Sequence, residues 1–453
     1  MRHKLVTFLK EHKYPLIEIK DIAVRILKWL VLASIIGFFV GLVTVLFQIG
    51  LVEAISNLTS IKLIWLLFFL PPIGLFLSGL LTGYIAPEAR GHGTDAIIGA
   101  YHEQTITRLR VIFAKLIASI ITIAFGGSAG REGPAIQMGG GVSTNTGKAM
   151  GVSFADRKIL TLCGMSAAFS SVFISPLSGA LFSCEVVFRD DIEYHGLLPA
   201  AVSSIVGFLT YQALLPKQLS EELIFVRIPA YTFEPFHILY FLVLAVCCGL
   251  VGFLHIKVLY FLDELFLKWD RPEYMRTMVG GVLTSLIALA LCIASVLLNL
   301  DFSEGFRIYG LGWSTMNLLI DSPFFFPLLF LIFLLIAKML ATASTIGSGG
   351  SGGIVSPSLF IGAILGLIIG LMLNFNPQVM AIVGAVCLFA AIAHIPITGA
   401  LLCGELFSFQ YVIPAILVGV IGSWIASEDS IYRSTLISRR KPLKVAHKYR
   451  IIK

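Results

Sequence analysis

The sequence reads GGSAGREGP at residues 126–134 and GGSGGIVSP at residues 349–357, so the pattern G-G-S-x-G-x-x-x-P occurs twice, at an offset of 223 (349 − 126). A second pair of blocks follows in the same order, PLSGAL at residues 176–181 and PITGAL at residues 396–401, at an offset of 220 (396 − 176). Two matched blocks at nearly the same offset predict an internal repeat, which is a common way to build a secondary transporter.

The composition indicates the solvent that surrounds this repeat. Apolar residues make up 57% of the 453 residues, charged residues make up 13%, and the mean hydropathy is +0.92. A soluble chain carries roughly 25% charged residues, so this one has too few to cover a surface that faces water. We therefore predict an all-α polytopic membrane protein, because helices satisfy their own backbone hydrogen bonds in lipid.

Apolar segments long enough to cross a bilayer occur in both halves of the chain. They are Ile22–Val52, Ile61–Ile85, Phe236–Tyr260, Met278–Leu300 and Phe324–Ala343. Other apolar segments are short or interrupted by Gly and Pro, which is typical of inverted repeats whose tilted and broken helices line a transport site. They are Ile112–Ala124, Pro134–Met150, Ile159–Phe173, Pro176–Phe188, Ile354–Asn374, Val379–Ala393 and Ile397–Phe407.

Charge and polarity divide the chain into regions. The net charge is +7 and basic residues crowd both ends, which predicts cytoplasmic termini by the positive-inside rule. Because these residues flank apolar helices, they do not indicate nucleic-acid binding. We predict an N-terminal cytoplasmic amphipathic segment at 1–21, a first transmembrane repeat at 22–215, an inter-repeat loop at 216–235, a second repeat with a pore-lining C-terminal helix at 236–436, and a basic cytoplasmic tail at 437–453.

Each half contains a turn rich in Gly and Ser that is followed by a helix. Glycine lets the backbone N–H groups of such a turn point outward without steric cost, and the helix adds the positive end of its dipole. Together they form an anion site without a fixed positive charge. Two such turns from inverted halves would meet near the middle of the bilayer, where partial charges suit an anion that must also leave.

Glu132 is the most informative single residue of the Gly-rich segment at residues 126–134. An acid embedded in a membrane is rare and costly, so a functional role is the default hypothesis. A carboxylate at an anion-binding helix start can occupy the place of the anion, and its protonation would open the path. Glu132 is therefore the predicted gate and proton carrier. The alternative is a helix-start acid that pairs with Arg131.

At this point the sequence resembles a known family. Residues 130–134 look like the G-R-E-G-P signature of the CLC chloride channels and chloride/proton antiporters. Residues 353–357 look like the second signature of that family, G-x-F-x-P, with Val355 in place of the usual Phe. Tyr432 falls where the family has an anion-coordinating tyrosine, and Lys115 matches a common lysine. The resemblance covers roughly residues 30 to 436.

The resemblance implies a homodimer with one pore per subunit, about 18 tilted helices per subunit, and a gating glutamate at Glu132. It implies that the backbone amides of Ile354 and Val355 and the hydroxyl of Tyr432 bind the anion. The full set of predicted anion-binding residues is His92, Gly93, Arg131, Gly133, Ile354, Val355 and Tyr432. No metal or other cofactor is predicted, but bound chloride ions are expected.

The sequence departs from the family pattern where the first signature is usually G-S-G-x-P, since residues 91–95 read GHGTD. His92 replaces the serine; an imidazole N–H can donate to an anion, and the alternative is a histidine turned toward the cytoplasmic vestibule. Asp95 replaces the proline and is expected to cap the next helix with Thr94. Val186 stands where many antiporters of the family have an inner glutamate, so a channel and a proton-coupled antiporter both remain open.

Other functions fit less well. Residues 126–130 match G-x-S-x-G and residues 349–352 match the G-x-S-G of intramembrane serine proteases, but a protease does not need a duplicated motif. Members of the family that export fluoride alter the proline of G-R-E-G-P, and Pro134 is present here. We therefore predict a non-enzymatic carrier of chloride or similar monovalent anions, and of protons if coupled. It is expected to be a multi-pass protein of a prokaryotic plasma membrane, with fluoride export as the alternative and proteolysis as a distant one.

Overall fold

The structure is a computed structural model that describes residues 13–59, 63–216, 230–426 and 429–438. The first half of the described chain forms helices α1 (Lys13–Thr59), α2 (Leu70–Ile85), α3 (Thr94–Glu103), α4 (Leu109–Ala124), α5 (Glu132–Ala149), α6 (Phe154–Phe173), α7 (Pro176–Glu185) and α8 (Tyr194–Leu214). Short 3₁₀ helices at Ile64–Phe68 and Pro87–Ala89 flank α2.

The second half repeats this order. It forms α9 (Ile238–Lys268), α10 (Glu273–Leu297), α11 (Trp313–Asp321), α12 (Leu328–Gly347), α13 (Val355–Met372), α14 (Pro377–Ala393), α15 (Pro396–Leu406) and α16 (Val412–Ile425). Short 3₁₀ helices occur at Pro235–His237, Phe302–Ile308 and Phe409–Tyr411. Each helix of the first half thus has a counterpart eight helices later, as the paired sequence blocks predict.

Matching local signals explain why matching helices begin at matching places. Pro176 and Pro396 open α7 and α15, because the first turn of a helix needs no amide hydrogen from proline. The helix before each ends at a residue in the left-handed conformation, Ile174 with φ +55° and His394 with φ +56°. The chain therefore breaks and restarts in the same way in both repeats.

The two repeats also exchange contacts reciprocally. Glu185, at the end of α7, accepts the backbone N–H groups of residues 397–398 at the start of α15, at 3.1 and 2.7 Å. Glu405, near the end of α15, accepts those of residues 177–178 at the start of α7, at 2.9 and 2.8 Å. A carboxylate at a helix N-terminus satisfies unpaired amides and the helix dipole, so both acids join the repeats.

Among the described residues, seven helices are long and apolar enough to cross a membrane: Ala23–Leu58, Ile64–Ile85, Tyr194–Leu214, Pro235–Lys268, Glu273–Leu297, Leu328–Gly347 and Val355–Met372. The third was not among the predicted spans, because the polar side chains of Ser203, Ser204 and Thr210 interrupt its apolar run; these residues are buried. The last was predicted among the interrupted segments, although α13 is continuous and almost entirely buried.

These helices confirm the predicted all-α membrane fold built as an inverted repeat. The domain boundaries remain predictions. Residues 1–12 and 439–453, and residues 217–229 of the inter-repeat loop, lie outside the described residues.

Candidate anion-binding site

The two Gly-rich turns meet at the centre of the molecule. Gly130 and Gly353 form an antiparallel bridge and exchange both backbone hydrogen bonds, at 2.7 and 2.6 Å. The two residues are 223 positions apart, the same offset that relates the sequence blocks. A residue that pairs with its own counterpart lies on the axis that relates the repeats, so α5 and α13 both begin beside this axis.

Glu132 is the first residue of α5 and is fully buried. Its carboxylate reaches across the axis to the start of α13, where Oε2 accepts the backbone N–H of Ser356 at 3.3 Å. Oε1 accepts the hydroxyl of the same serine. First-turn amides have no partner within their own helix, so the acid of one repeat lies at the anion-binding end of a helix from the other.

Arg131 turns away from this carboxylate. Its Nη1 donates to Gln48 Oε1 at 2.6 Å, and its guanidinium carbon lies 6.0 Å from the ring centre of Trp313. Nε and Nη2 are buried and have no hydrogen-bond partner in the part of the chain that the structure describes. The alternative of an Arg131–Glu132 ion pair is therefore not formed in the described part of the chain.

His92 and Gly93 lie in a turn of residues 91–93 that leads into α3. This turn is called the first turn from here on. Gly91 and Gly93 have φ of +66° and +82°, which glycine adopts freely. Lys115 holds the turn, because its Nζ donates to the carbonyls of Ala89 at 3.0 Å and Gly91 at 2.6 Å. The ring of His92 lies 5.7 Å from the ring of Tyr432, and its buried Nδ1 has no hydrogen-bond partner among the described residues.

Tyr432 is fully buried beside this turn. Its hydroxyl and that of Thr94 lie close enough to interact, but neither meets hydrogen-bond geometry with any described group. The backbone around Tyr432 is anchored by Asp95, whose Oδ1 accepts the N–H of Ser434 at 2.7 Å. The prediction that Asp95 caps α3 is therefore wrong, since no side chain caps that helix and the carboxylate binds the C-terminal segment instead.

Gly133, Ile354 and Val355 complete the predicted set. Ile354 directly precedes α13, Val355 opens it, and both are buried. Gly133 lies at the start of α5, so close to the carbonyl oxygen of His92 that a Cβ atom on residue 133 would overlap that oxygen. This close approach brings the first turn of residues 91–93 against the start of α5.

The structure adds a second turn that the sequence analysis did not find, residues 310–312, which leads into α11. Gly310 and Gly312 have φ of +58° and +85°. Lys338 Nζ donates to the carbonyls of Ile308 at 2.9 Å and Gly310 at 3.0 Å. Lys338 is 223 residues after Lys115, so the repeat offset applied to that lysine would have revealed it.

The serines of the duplicated motif bond to a threonine hydroxyl and to a backbone carbonyl. Ser128 Oγ lies 3.0 Å from the Thr342 hydroxyl, and Ser351 Oγ donates to the carbonyl of Ala89 at 2.9 Å. Neither is hydrogen-bonded to a histidine among the described residues. No group of three or more His, Cys, Asp or Glu side chains that could hold a metal occurs in the described ranges either.

Known proteins resemble the chain over most of its length. The model of the family described as voltage gated chloride channel matches residues 73–427. The chain is 28% identical, over 93% of its length and 89% of the relative, to the "Chloride/fluoride channel protein" of Pseudomonas syringae pv. tomato. It is 29% identical, over 88% of its length and 84% of the relative, to the "H(+)/Cl(-) exchange transporter ClcA" of Yersinia pseudotuberculosis.

A solved structure described as a CLC-type fluoride/proton antiporter shares the fold, with a TM-score of 0.78 and 24% identity over 90% of this chain and 98% of that one. The helical architecture and the meeting of the two Gly-rich turns on the repeat axis agree with the match of the family model over residues 73–427. The chain belongs to the voltage gated chloride channel family.

Proposed function

We propose that this protein carries chloride or similar monovalent anions across a membrane and that Glu132 is its protonatable gate. The observation that carries the proposal is the position of the Glu132 carboxylate, buried at the start of α13 and bound by the backbone N–H of Ser356. A carboxylate and a halide compete for the same amides at a helix N-terminus. When Glu132 is ionised it fills the site, and when it is protonated the anion can take its place.

The proposed path runs from Arg131 past the α5 and α13 starts to His92 and Tyr432. Its ligands are Arg131, the amides of Gly133, Ile354 and Val355, the turn at His92 and Gly93, and the Tyr432 hydroxyl. Partial charges dominate this set, so an anion is stabilised without being held as tightly as by a buried fixed charge. The unpartnered His92 Nδ1 and Tyr432 Oη support a ligand role, because buried polar groups without partners are costly.

The coupling of anion flux to protons is open in this proposal. Val186, buried at the end of α7, supplies no ionisable group where antiporters of the family have an acid. The curated relative from Yersinia is an exchange transporter and that from Pseudomonas is a channel protein by name, so both modes occur among similar chains. Fluoride remains the alternative anion, although Pro134 argues for chloride.

We further propose a homodimer with one pore per subunit, cytoplasmic termini, bound chloride ions, no other cofactor and a prokaryotic plasma membrane as the location. These proposals rest on the family and on the charges at the chain ends. Transport rather than hydrolysis is the proposed activity, because Ser128 and Ser351 bond to Thr342 and to a backbone carbonyl.

The test is reconstitution in liposomes loaded with chloride, with chloride efflux and internal pH recorded together under an imposed potential and protein-free liposomes as the control. Chloride efflux above the control supports the proposal. Proton uptake in a fixed ratio to chloride identifies an antiporter, and chloride flux alone identifies a channel. Efflux of fluoride without chloride would replace chloride by the alternative anion, and efflux of neither would contradict the proposal.

A further inference from the structure

Ser356 provides both described hydrogen bonds to the Glu132 carboxylate. Its backbone N–H donates to Oε2 and its hydroxyl donates to Oε1. Ser356 is 1% exposed, so both hydrogen bonds lie in the interior of the protein. The backbone bond would be available with any residue at this position, but the hydroxyl bond depends on serine.

Trp313 holds that serine from the other side. Its indole Nε1–H donates to Ser356 Oγ at 3.2 Å. With the indole donating to the oxygen, the hydroxyl proton is directed at Glu132, and donation along such a chain polarises each bond in turn. Trp313 is itself fixed as the first residue of α11, directly after the second turn, which Lys338 holds.

The other ionisable groups around Glu132 direct their hydrogen bonds elsewhere. Arg131 beside it donates to Gln48. Lys115 on α4 donates to backbone carbonyls. Tyr432 and His92 face the site from the C-terminal segment and the first turn without bonding to the carboxylate, and α13 carries no ionisable residue. Ser356 and Trp313 therefore control the hydrogen bonding of this acid.

We propose that Ser356 and Trp313 form a latch that holds the ionised Glu132 carboxylate in its blocking position. The inference rests on the proposed function, because it presumes that Glu132 is the gate. These hydrogen bonds stabilise the blocked state relative to the open state, so their removal should make the open state easier to reach. Both residues are positioning residues that set the pH at which transport begins.

The experiment measures chloride efflux from liposomes as a function of pH for wild type and Ser356→Ala. We expect the pH of half-maximal efflux to rise by about one unit, which corresponds to about a tenfold loss of blocked-state stability. Trp313→Phe keeps an aromatic ring and removes the N–H, and we expect a smaller shift in the same direction. Ser356→Thr keeps a hydroxyl and should therefore show the wild-type dependence of efflux on pH.

Ser358→Ala is the matched control, because that buried hydroxyl lies two residues further on and donates to the carbonyl of Ile354 at 2.7 Å instead of to Glu132. It should leave the pH profile unchanged. Should Ser356→Ala fail to fold, as judged by its elution from a sizing column, Trp313→Phe carries the test. A wild-type profile in the folded variants overturns the latch.

The Glu132→Gln variant separates the two proposals. If it abolishes the pH dependence while Ser356→Ala and Trp313→Phe leave it unchanged, the gate stands and the latch is wrong. If Glu132→Gln itself keeps the wild-type pH dependence, the gate is wrong and the latch fails with it. If the latch acts through Glu132, the double variant Glu132→Gln/Ser356→Ala should have the same dependence of chloride efflux on pH as Glu132→Gln alone.

Discussion

The first turn and the second turn have similar backbone conformations but differ in the polar side chains around them. Each has two glycines with positive φ and is held by a buried lysine, Lys115 or Lys338. Beside the first turn lie polar atoms without partners, on His92, Thr94 and Tyr432. After the second turn, Trp313 joins Ser356 and the Glu132 carboxylate in a continuous hydrogen-bond chain.

This difference shows what the repeat supplies and what it leaves to individual side chains. The symmetric scaffold places two helix starts and two turns around one axis. Its backbone donors alone would make two equivalent anion sites. The side chains make them unequal. After the second turn, the Trp313 indole donates to Ser356, which in turn donates to the Glu132 carboxylate. Beside the first turn, polar atoms of His92, Thr94 and Tyr432 have no hydrogen-bond partner among the described residues and can meet an anion. One end is therefore suited to gating and the other to binding.

The largest expected effect comes from removing the internal carboxylate. Glu132→Gln and Glu132→Ala leave no group that can titrate between blocking and open states. Wild-type efflux should rise as pH falls, by up to about tenfold per pH unit, whereas both variants should vary less than about twofold over the same range. Proton movement coupled to chloride should also disappear. Efflux and internal pH recorded in liposomes check this, and a wild-type pH profile in either variant contradicts it.

At the first turn, the largest effect should come from Tyr432→Phe, which removes the hydroxyl and keeps the ring. A hydrogen bond to an ion contributes about 1.5–3 kcal/mol, so chloride affinity should fall about tenfold or more. Calorimetric titration with chloride measures this. Tyr84→Phe, at an exposed tyrosine, is the control and should bind as wild type does. Unchanged affinity, even in Tyr432→Ala, would remove Tyr432 from the site.

A smaller effect should come from His92, which can donate one hydrogen bond as a neutral ring. Such a bond contributes about 1 kcal/mol, so His92→Ala should weaken chloride binding several-fold. Leu311 occupies the corresponding place in the second turn, and Leu311→Ala should leave chloride affinity unchanged. Equal loss in both variants would mean that truncation disturbs the turns in general, and that His92 is not a ligand.

Much of this scaffold could be predicted from the sequence, because two repeats with the same fold have similar residues at the places where helices end and begin. Gly126–Pro134 and Gly349–Pro357 share enough of these residues to be recognised. The turns at residues 91–93 and 310–312 share only G-x-G at an offset of 219 (310 − 91). This pattern is too common to be noticed without the lysines, which lie at the repeat offset of 223 (338 − 115).

The side-chain network could not be predicted, because its members are far apart in the chain. Ser356 lies 224 positions from Glu132 and 43 from Trp313, and no local pattern relates them. Asp95 illustrates the same limit. Its place at a helix start indicated a local cap, but its carboxylate instead binds the N–H of Ser434, 339 positions away. Local rules predict the helices, and contacts between distant segments determine the site.

The smallest effect on transport is expected where the two repeats are most nearly equal. Glu185 and Glu405 each bind two amides and a hydroxyl at the start of a helix in the other repeat. Replacing either by Gln keeps one acceptor oxygen but removes the charge, at a cost of about 1–3 kcal/mol in stability. Thermal unfolding in detergent should therefore show similar decreases for Glu185→Gln and Glu405→Gln, with little change in the pH dependence of chloride efflux. A decrease confined to one variant would mean that the reciprocal contacts are not energetically equivalent, and that the asymmetry of the two turns extends into the scaffold that joins the repeats.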